Sequence, residues 1–191
     1  MRKMILFAAA LLFSAIGVVP ADAQDAAKKD AAPKPALGLS QAVLEQWNGV
    51  GNKLIAMAQD FPEDKYDFKP TPAERSFAEQ LLHAAGANYF FTNLAKGEKP
   101  PAQEDPARSS FKTKADVVAY VKKSMEDGAA AIKAKGDAGM EGMMVDPFDN
   151  RQVRVFDWAY GFIEHMGEHY GQLAVYYRVA GLVPPESRPK K

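Results

Sequence analysis

Four stretches of this chain repeat apolar residues every three or four positions, and glycine or proline closes each of them. That period lines the apolar side chains along one stripe of an α-helix, and such a stripe must be buried against another element. In the first stretch Val43, Leu44, Trp47, Val50, Leu54, Ala58 and Phe61 share the stripe, with Ser40 the predicted N-cap and Pro62 the stop. Gly49 and Gly51 either weaken its middle or mark the close approach of another helix. The second stretch opens on Ser76-Phe77-Ala78-Glu79, a capping box, and reaches Lys96, where Gly97 can take the left-handed C′ position. The third opens on Thr113-Lys114-Ala115-Asp116, carries Val117, Val118, Val121, Met125 and Ile132, and closes at Gly136. The fourth is predicted over residues 157–180, with Gly181 as its C-cap and Pro184-Pro185 preventing continuation.

There is no internal repeat and no strand-period segment of useful length. Residues 98–110 form a polar, proline-bearing connection, and residues 137–154 a long Gly- and Met-containing one with a short hairpin expected around Asp149-Asn150. A connection of that length inside a compact domain often carries function or covers a site. The fold class expected is all-α, a four-helix bundle over residues 39–185, because four stripes of this kind bury one another only by packing together.

The first residues have a different character. Arg2 and Lys3 precede an apolar run over residues 4–19, and Ala21-Asp22-Ala23 has the small-x-small pattern that signal peptidase reads. Residues 1–23 are therefore expected to be a signal peptide cleaved after Ala23; the alternative is an uncleaved anchor. Residues 24–38 read as a flexible leader of Ala, Lys, Asp and Pro, and residues 186–191 as a disordered tail. The chain has no cysteine, which excludes disulfides, thiolate ligands and a cysteine nucleophile. Lys plus Arg equals Asp plus Glu at 24 each, so no net field recruits nucleic acid or anionic lipid. A periplasmic or secreted bacterial protein, free of the membrane after cleavage, is the expectation. A homodimer is compatible with a bundle of this size, and no uncommitted apolar stripe demands one.

The chain has three histidines, and their placement carries most of the chemistry. His165 and His169 are four apart on the fourth helix, so they project from one face about 6 Å apart at Cβ. His83 lies ~4 Å from the midpoint of the second helix by the helical rise, and the pair straddles a point ~2 Å from the midpoint of the fourth. Helices of similar length packed side by side bring the three to a common depth. Three neutral imidazoles on one divalent ion leave open positions for water or substrate, as in a catalytic site. The bland alternative is that each is an ordinary satisfied histidine. His165-Met166-Gly167-Glu168-His169 also spells H-x-x-E-H, the inverted zincin signature of a metalloprotease. That site needs a further carboxylate ligand downstream, and only a short tail follows.

The run His165-x-x-x-His169-x-Gly171-Gln172-Leu173, continuing through Tyr177-Arg178-x-x-Gly181 to Pro184-Pro185, resembles the last helix of the DinB/YfiT-like superfamily of metalloenzymes. Leu81-Leu82-His83, just after the Ser76 capping box, resembles that family's second helix with its first metal ligand. The resemblance spans residues 39–185. It implies an up-down-down-up four-helix bundle and one divalent metal, zinc, nickel, iron or manganese, on His83, His165 and His169. The crossover over residues 98–110 suits that topology, since parallel neighbours need one. Two positions depart from the family pattern: Tyr170 stands where a basic residue is common, and Glu168 where another histidine is common. Characterised relatives include thiol-cofactor transferases of the cytoplasm, and an exported protein would not meet those thiols.

Glu168 is a candidate base, or a candidate acceptor that orients a ligand imidazole, and Glu164 a candidate for the second of these roles. Tyr89, Phe90, Trp158, Tyr160 and Phe162 are expected to be mostly core, with one or two at the mouth of a substrate pocket. Two functions of different class follow. One is a metal-dependent hydrolase or transferase acting on a small molecule, and the other a non-catalytic metal-binding or interaction bundle. An open cavity at the ligands favours the first, a closed site the second, and histidines pointing apart would mark a vestigial site.

Overall fold

A computed structural model of the chain describes residues 34–103 and 105–189. The expected signal peptide, its cleavage site, the leader as far as residue 33, and Lys190 and Lys191 lie outside the described residues. The helices are α1 (Leu39–Asp60), α2 (Phe77–Lys96), α3 (Lys114–Glu141) and α4 (Val155–Val179), with strands β1 (Met143–Val145) and β2 (Gln152–Arg154) between the last two. Among the described residues no helix is long and apolar enough to cross a membrane.

The helix ends follow their side-chain chemistry. Ser76 and Thr113 each cap their helix with a complete reciprocal box, closed by Glu79 and Asp116. At the C-termini of α2 and α4, Gly97 and Gly181 sit at positive φ. Their amides, with those of Glu98 and Leu182, return to the carbonyls of the last turn, the Schellman pattern. Ser40 is not the N-cap of α1. That position is Gly38, and the Ser40 amide and hydroxyl both donate to the Asp137 carboxylate, at 2.8 and 2.6 Å. An acid 97 residues away thus caps α1, and it lies just past the Gly136 break in α3, where φ is +58°. The helix resumes beyond that break to Glu141, so the connection to α4 is shorter than expected. α4 begins at Val155, two residues before the predicted start, because Asp157 accepts from the Arg154 amide and guanidinium rather than capping the helix itself.

The connection between α3 and α4 contains the expected hairpin: β1 pairs antiparallel with β2, Met144 opposite Val153, around a turn with Asn150 in the left-handed region. The tail also differs from expectation. Pro185–Ser187 forms a single 3-10 turn, and the Arg188 guanidinium grips the Asp60 carboxylate through two nitrogens at 2.7 and 2.5 Å.

α1 packs chiefly on α3 and α4, and α2 on the same two, so α1 and α2 are diagonal, as are α3 and α4. Directions follow from the ends that meet. The N-terminus of α1 meets the C-terminus of α3 at Ser40 and Asp137. Phe61 at the end of α1 stacks on Phe77 at the start of α2, centroids 3.7 Å apart, and meets the Tyr177 ring near the end of α4. α1 and α4 therefore run one way and α2 and α3 the other: up, down, down, up. The α1–α3 contact is close. Trp47 donates to the Met125 carbonyl at 2.9 Å, and a Cβ on Gly128 would fall 2.0 Å from the Trp47 ring, so only glycine fits beneath that indole. Gly51 is likewise approached by Met125, whereas Gly49 faces open space.

Candidate metal centre

α2 and α4 run antiparallel side by side, and this pairing brings the predicted histidines together. Ring centroids are 4.3 Å apart for His165 and His169, 4.7 Å for His83 and His169, and 5.3 Å for His83 and His165. Taking one nitrogen from each ring, the three atoms lie within 4.8 Å of one another. His83 and His169 are buried and His165 is half-buried. The Nε2 atoms of His165 and His169 face each other at 2.9 Å.

Each of two Nδ1 atoms is occupied by a neighbour. His83 Nδ1 donates to Asp105, and Arg75 holds the other oxygen of that carboxylate at 3.1 Å. Burial pushes the Asp105 carboxyl up, but the hydrogen bonds from His83 and Arg75 outweigh it and hold it below the usual carboxylate range. His169 Nδ1 lies 2.9 Å from Gln172 Oε1 and 2.6 Å from Gln80 Nε2, and the two glutamines hydrogen-bond each other. A proton on Nδ1 would donate to Gln172 and leave the Nε2 lone pair facing His165, whereas the Gln80 amide nitrogen, itself a donor, is answered by a bare Nδ1, so the two glutamines match opposite tautomers of the ring. Burial, with repulsion between the rings, lowers both His165 and His169 to about 4, so both are neutral at pH 7. Neutral imidazole with its second nitrogen tied to an acceptor is the ligand form that first-row divalent ions take. The donor set therefore fits such an ion.

Glu164 and Glu168 are exposed, and the hydrogen bonds described at the rings run to Asp105, Gln80 and Gln172 instead. At His83 the acceptor is an aspartate of the α2–α3 crossover. That crossover is tied down twice, by Arg75 on Asp105 and by Arg108 on Asp67 at 2.9 Å. Gln80 and Gln172 were legible in principle, since each is three residues from a histidine on its own helix. Asp105 was not, because a loop has no period to read.

A cavity of about 610 Å³ opens beside the rings, with His165 in its wall. Phe90, Trp158 and Phe162 line it together with Phe148 and Val153 of the hairpin, so three of the five aromatics singled out in the sequence face this space.

The sequence profile of the DinB superfamily matches residues 46–173. The chain belongs to the DinB superfamily. A crystal structure of a DinB-like protein of Bacillus subtilis superposes with a TM-score of 0.62 at 21% identity, covering 78% of this chain and 99% of that one. YfiT of Bacillus subtilis, described as a probable metal-dependent hydrolase with an unusual four-helix bundle topology, superposes at 0.61 with 13% identity, covering 80% and 94%. These likenesses establish the shared fold. No curated protein sequence matches the chain.

Proposed function

We propose that this DinB-superfamily protein is a metal-dependent hydrolase whose single divalent ion is held by His83, His165 and His169. The observation that carries the proposal is the convergence of three nitrogens within 4.8 Å on rings whose other nitrogens are, for His83 and His169, already committed. The description of YfiT supports the same chemistry in a relative. Zinc, nickel, iron and manganese all suit imidazole donors. When bound, the ion supplies Lewis acidity and brings the pKa of water toward neutrality.

The chain's own groups do the rest. Asp105 accepts from His83 Nδ1, Gln172 and Gln80 hold the His169 ring at Nδ1, and burial keeps His165 and His169 neutral. The aromatic wall beside His165 leaves a cavity open on one side of the site, where a substrate would enter. That open side favours an enzyme over a closed structural site, and convergent rings disfavour a vestigial one. The H-x-x-E-H protease reading lacks support, since Glu168 is exposed and the third ring comes from α2 rather than from a downstream carboxylate. Export belongs to the same proposal, supported by Arg2, Lys3, the apolar run after them and Ala21-Asp22-Ala23. A mature N-terminus at Gln24 in the secreted or periplasmic fraction is the expected result.

Elemental analysis of untagged protein tests the centre. About one equivalent of a divalent first-row metal is expected in the wild type, with loss in His83→Ala and His169→Ala. Metal content unchanged in both variants would overturn the assignment. Chelation should then lower the melting temperature of the wild type alone and abolish its turnover of a panel of esters, amides and phosphoesters.

A further inference from the structure

The cavity beside His165 has a definite chemical character. Its wall is a run of rings that begins at the surface and ends at the candidate metal centre. Phe148, 72% exposed at the hairpin turn, packs against Phe90 with centroids 6.0 Å apart and against Trp158 at 5.6 Å. Trp158 meets Phe162 at 5.4 Å edge-on, and Phe162 meets His165 at 6.3 Å. A group that slides along these faces arrives with its far end at the His165 ring. The volume of about 610 Å³ is that of a small-molecule site and exceeds what a single water or ion needs.

The charged residues at this cavity already have partners. The Arg151 guanidinium is held by Asp149 at 2.5 Å, Asp157 by Arg154 at 2.7 and 3.0 Å, and Asp146 accepts the Phe148 amide at 2.8 Å. Arg151 and Asp157 are thus paired with their own neighbours and Asp146 is turned to a backbone amide, so the aromatic faces are the groups left to select a ligand. Gly161 lines the same space and has nothing within 4 Å of where a Cβ would stand, so the helix contributes bare backbone there and leaves the width of the cavity free.

We infer that this cavity binds an uncharged aromatic group of a small-molecule substrate, stacked between Phe148, Trp158 and Phe162, with the reacting bond presented at His165. Binding itself stands on the cavity alone, and only the placement of the reacting bond rests on the hydrolase reading. The wall is built by the hairpin and α4 together, so the connection between α3 and α4 acts as the specificity loop of the molecule.

The probe is N-phenyl-1-naphthylamine, an uncharged aromatic fluorophore that brightens in apolar surroundings, titrated into the full-length protein with and without metal. Saturable binding is expected in both forms. The sulfonated analogue, 8-anilino-1-naphthalenesulfonate, should bind more weakly. Gly161→Leu fills the open space from a helical position where leucine is the better helix former, and should weaken the neutral probe roughly tenfold or more while metal content stays unchanged. Phe148→Ser, at an exposed turn position outside the core, should weaken it several-fold and serves as the second variant if Gly161→Leu misfolds. Equal binding by both variants, or tighter binding of the sulfonated probe, would overturn the inference. Probe affinity that falls as protein concentration rises would also overturn it, by showing that a second copy covers the cavity. In turnover, Gly161→Leu should lower kcat/KM for 4-nitrophenyl benzoate by a much larger factor than for ethyl acetate, which carries no aromatic group. A wild type that turns over neither ester but binds the neutral probe through Gly161 and Phe148 loses the hydrolase reading and keeps the aromatic site. A wild type that hydrolyses both esters with no dependence on Gly161 keeps the first and loses the second.

Discussion

A buried imidazole needs an acceptor on Nδ1 if its Nε2 is to remain a bare lone pair, and at His83 that acceptor comes from a loop. Asp105, with 54% of its side chain exposed, holds His83 while Arg75 holds Asp105. The exposed Arg75–Asp105 pair adds little to stability by itself, since surface ion pairs contribute less than about 1 kcal/mol. Its consequence is orientation. Asp105→Ala should therefore lower metal affinity roughly 10- to 100-fold, the usual effect of losing an outer hydrogen-bond partner of a ligand, with little change in the melting of the metal-free protein. Competition with a chromophoric chelator measures the first and denaturation of chelator-treated protein the second. An unchanged affinity would mean that helix packing alone orients His83. At His169 the one oxygen near Nδ1 is that of Gln172, three residues on along the same helix, while Gln80 offers its amide nitrogen from α2.

At the scale of elements, α2 is the helix on which most depends, because it carries His83 and Gln80 within two turns of its N-terminus. The Ser76 box fixes that end: Ser76 Oγ accepts from the Glu79 amide at 3.2 Å, and Glu79 accepts from the Ser76 amide at 2.7 Å. Hydrogen bonds from Ser76, against a smaller effect of burial, hold the Glu79 carboxyl below its usual range. Ser76→Ala should destabilise the protein by about 1 kcal/mol in denaturant titration, the ordinary cost of a lost N-cap. Both box ends and both glycine C-caps were legible in the residues, because capping is settled within four or five positions of chain. The start of α1 was not: its cap is Asp137, supplied from the far end of α3, and no local pattern points to a partner so distant.

For the whole molecule, the electrostatic consequence of the fold is a pair of neutral histidines. His165 and His169 are lowered to about 4 from an ordinary value of 6.5, chiefly by burial. Below pH 6.5 the unfolded chain takes up protons that the folded one refuses. The stability of the metal-free protein should thus be full above pH 6.5 and fall as pH drops toward 4, by on the order of 3 kcal/mol for each of the two rings. The paired carboxylates Asp60, Glu79 and Asp105, all shifted downward, add their own losses only at lower pH. Urea titrations of chelator-treated protein at pH 7.5, 5.5 and 4.5 measure the slope, and the His165→Gln/His169→Gln double variant should flatten it. A wild-type profile already flat across that window would show that the rings are protonated in the folded state.

Four helices, their capping boxes and glycine stops, and two histidines on one face were settled by the chain's own periodicity, since stripe, cap and i,i+4 spacing are local properties of a helix. Matched depth made His83 a third candidate, but depth along a helix does not say which helices touch. That was decided by the packing: Gly128 beneath Trp47 locks α1 to α3, and Phe61, Phe77 and Tyr177 join the ends of α1, α2 and α4. With α1 and α2 on a diagonal, α2 and α4 become neighbours and the three rings meet. Asp105 at His83, the carboxylate of Asp137 on α1, and the aromatic cavity between the hairpin and α4 likewise exist only in three dimensions. Each joins an aperiodic connection to a helix distant in sequence, and only the packed bundle determines where such a connection lies.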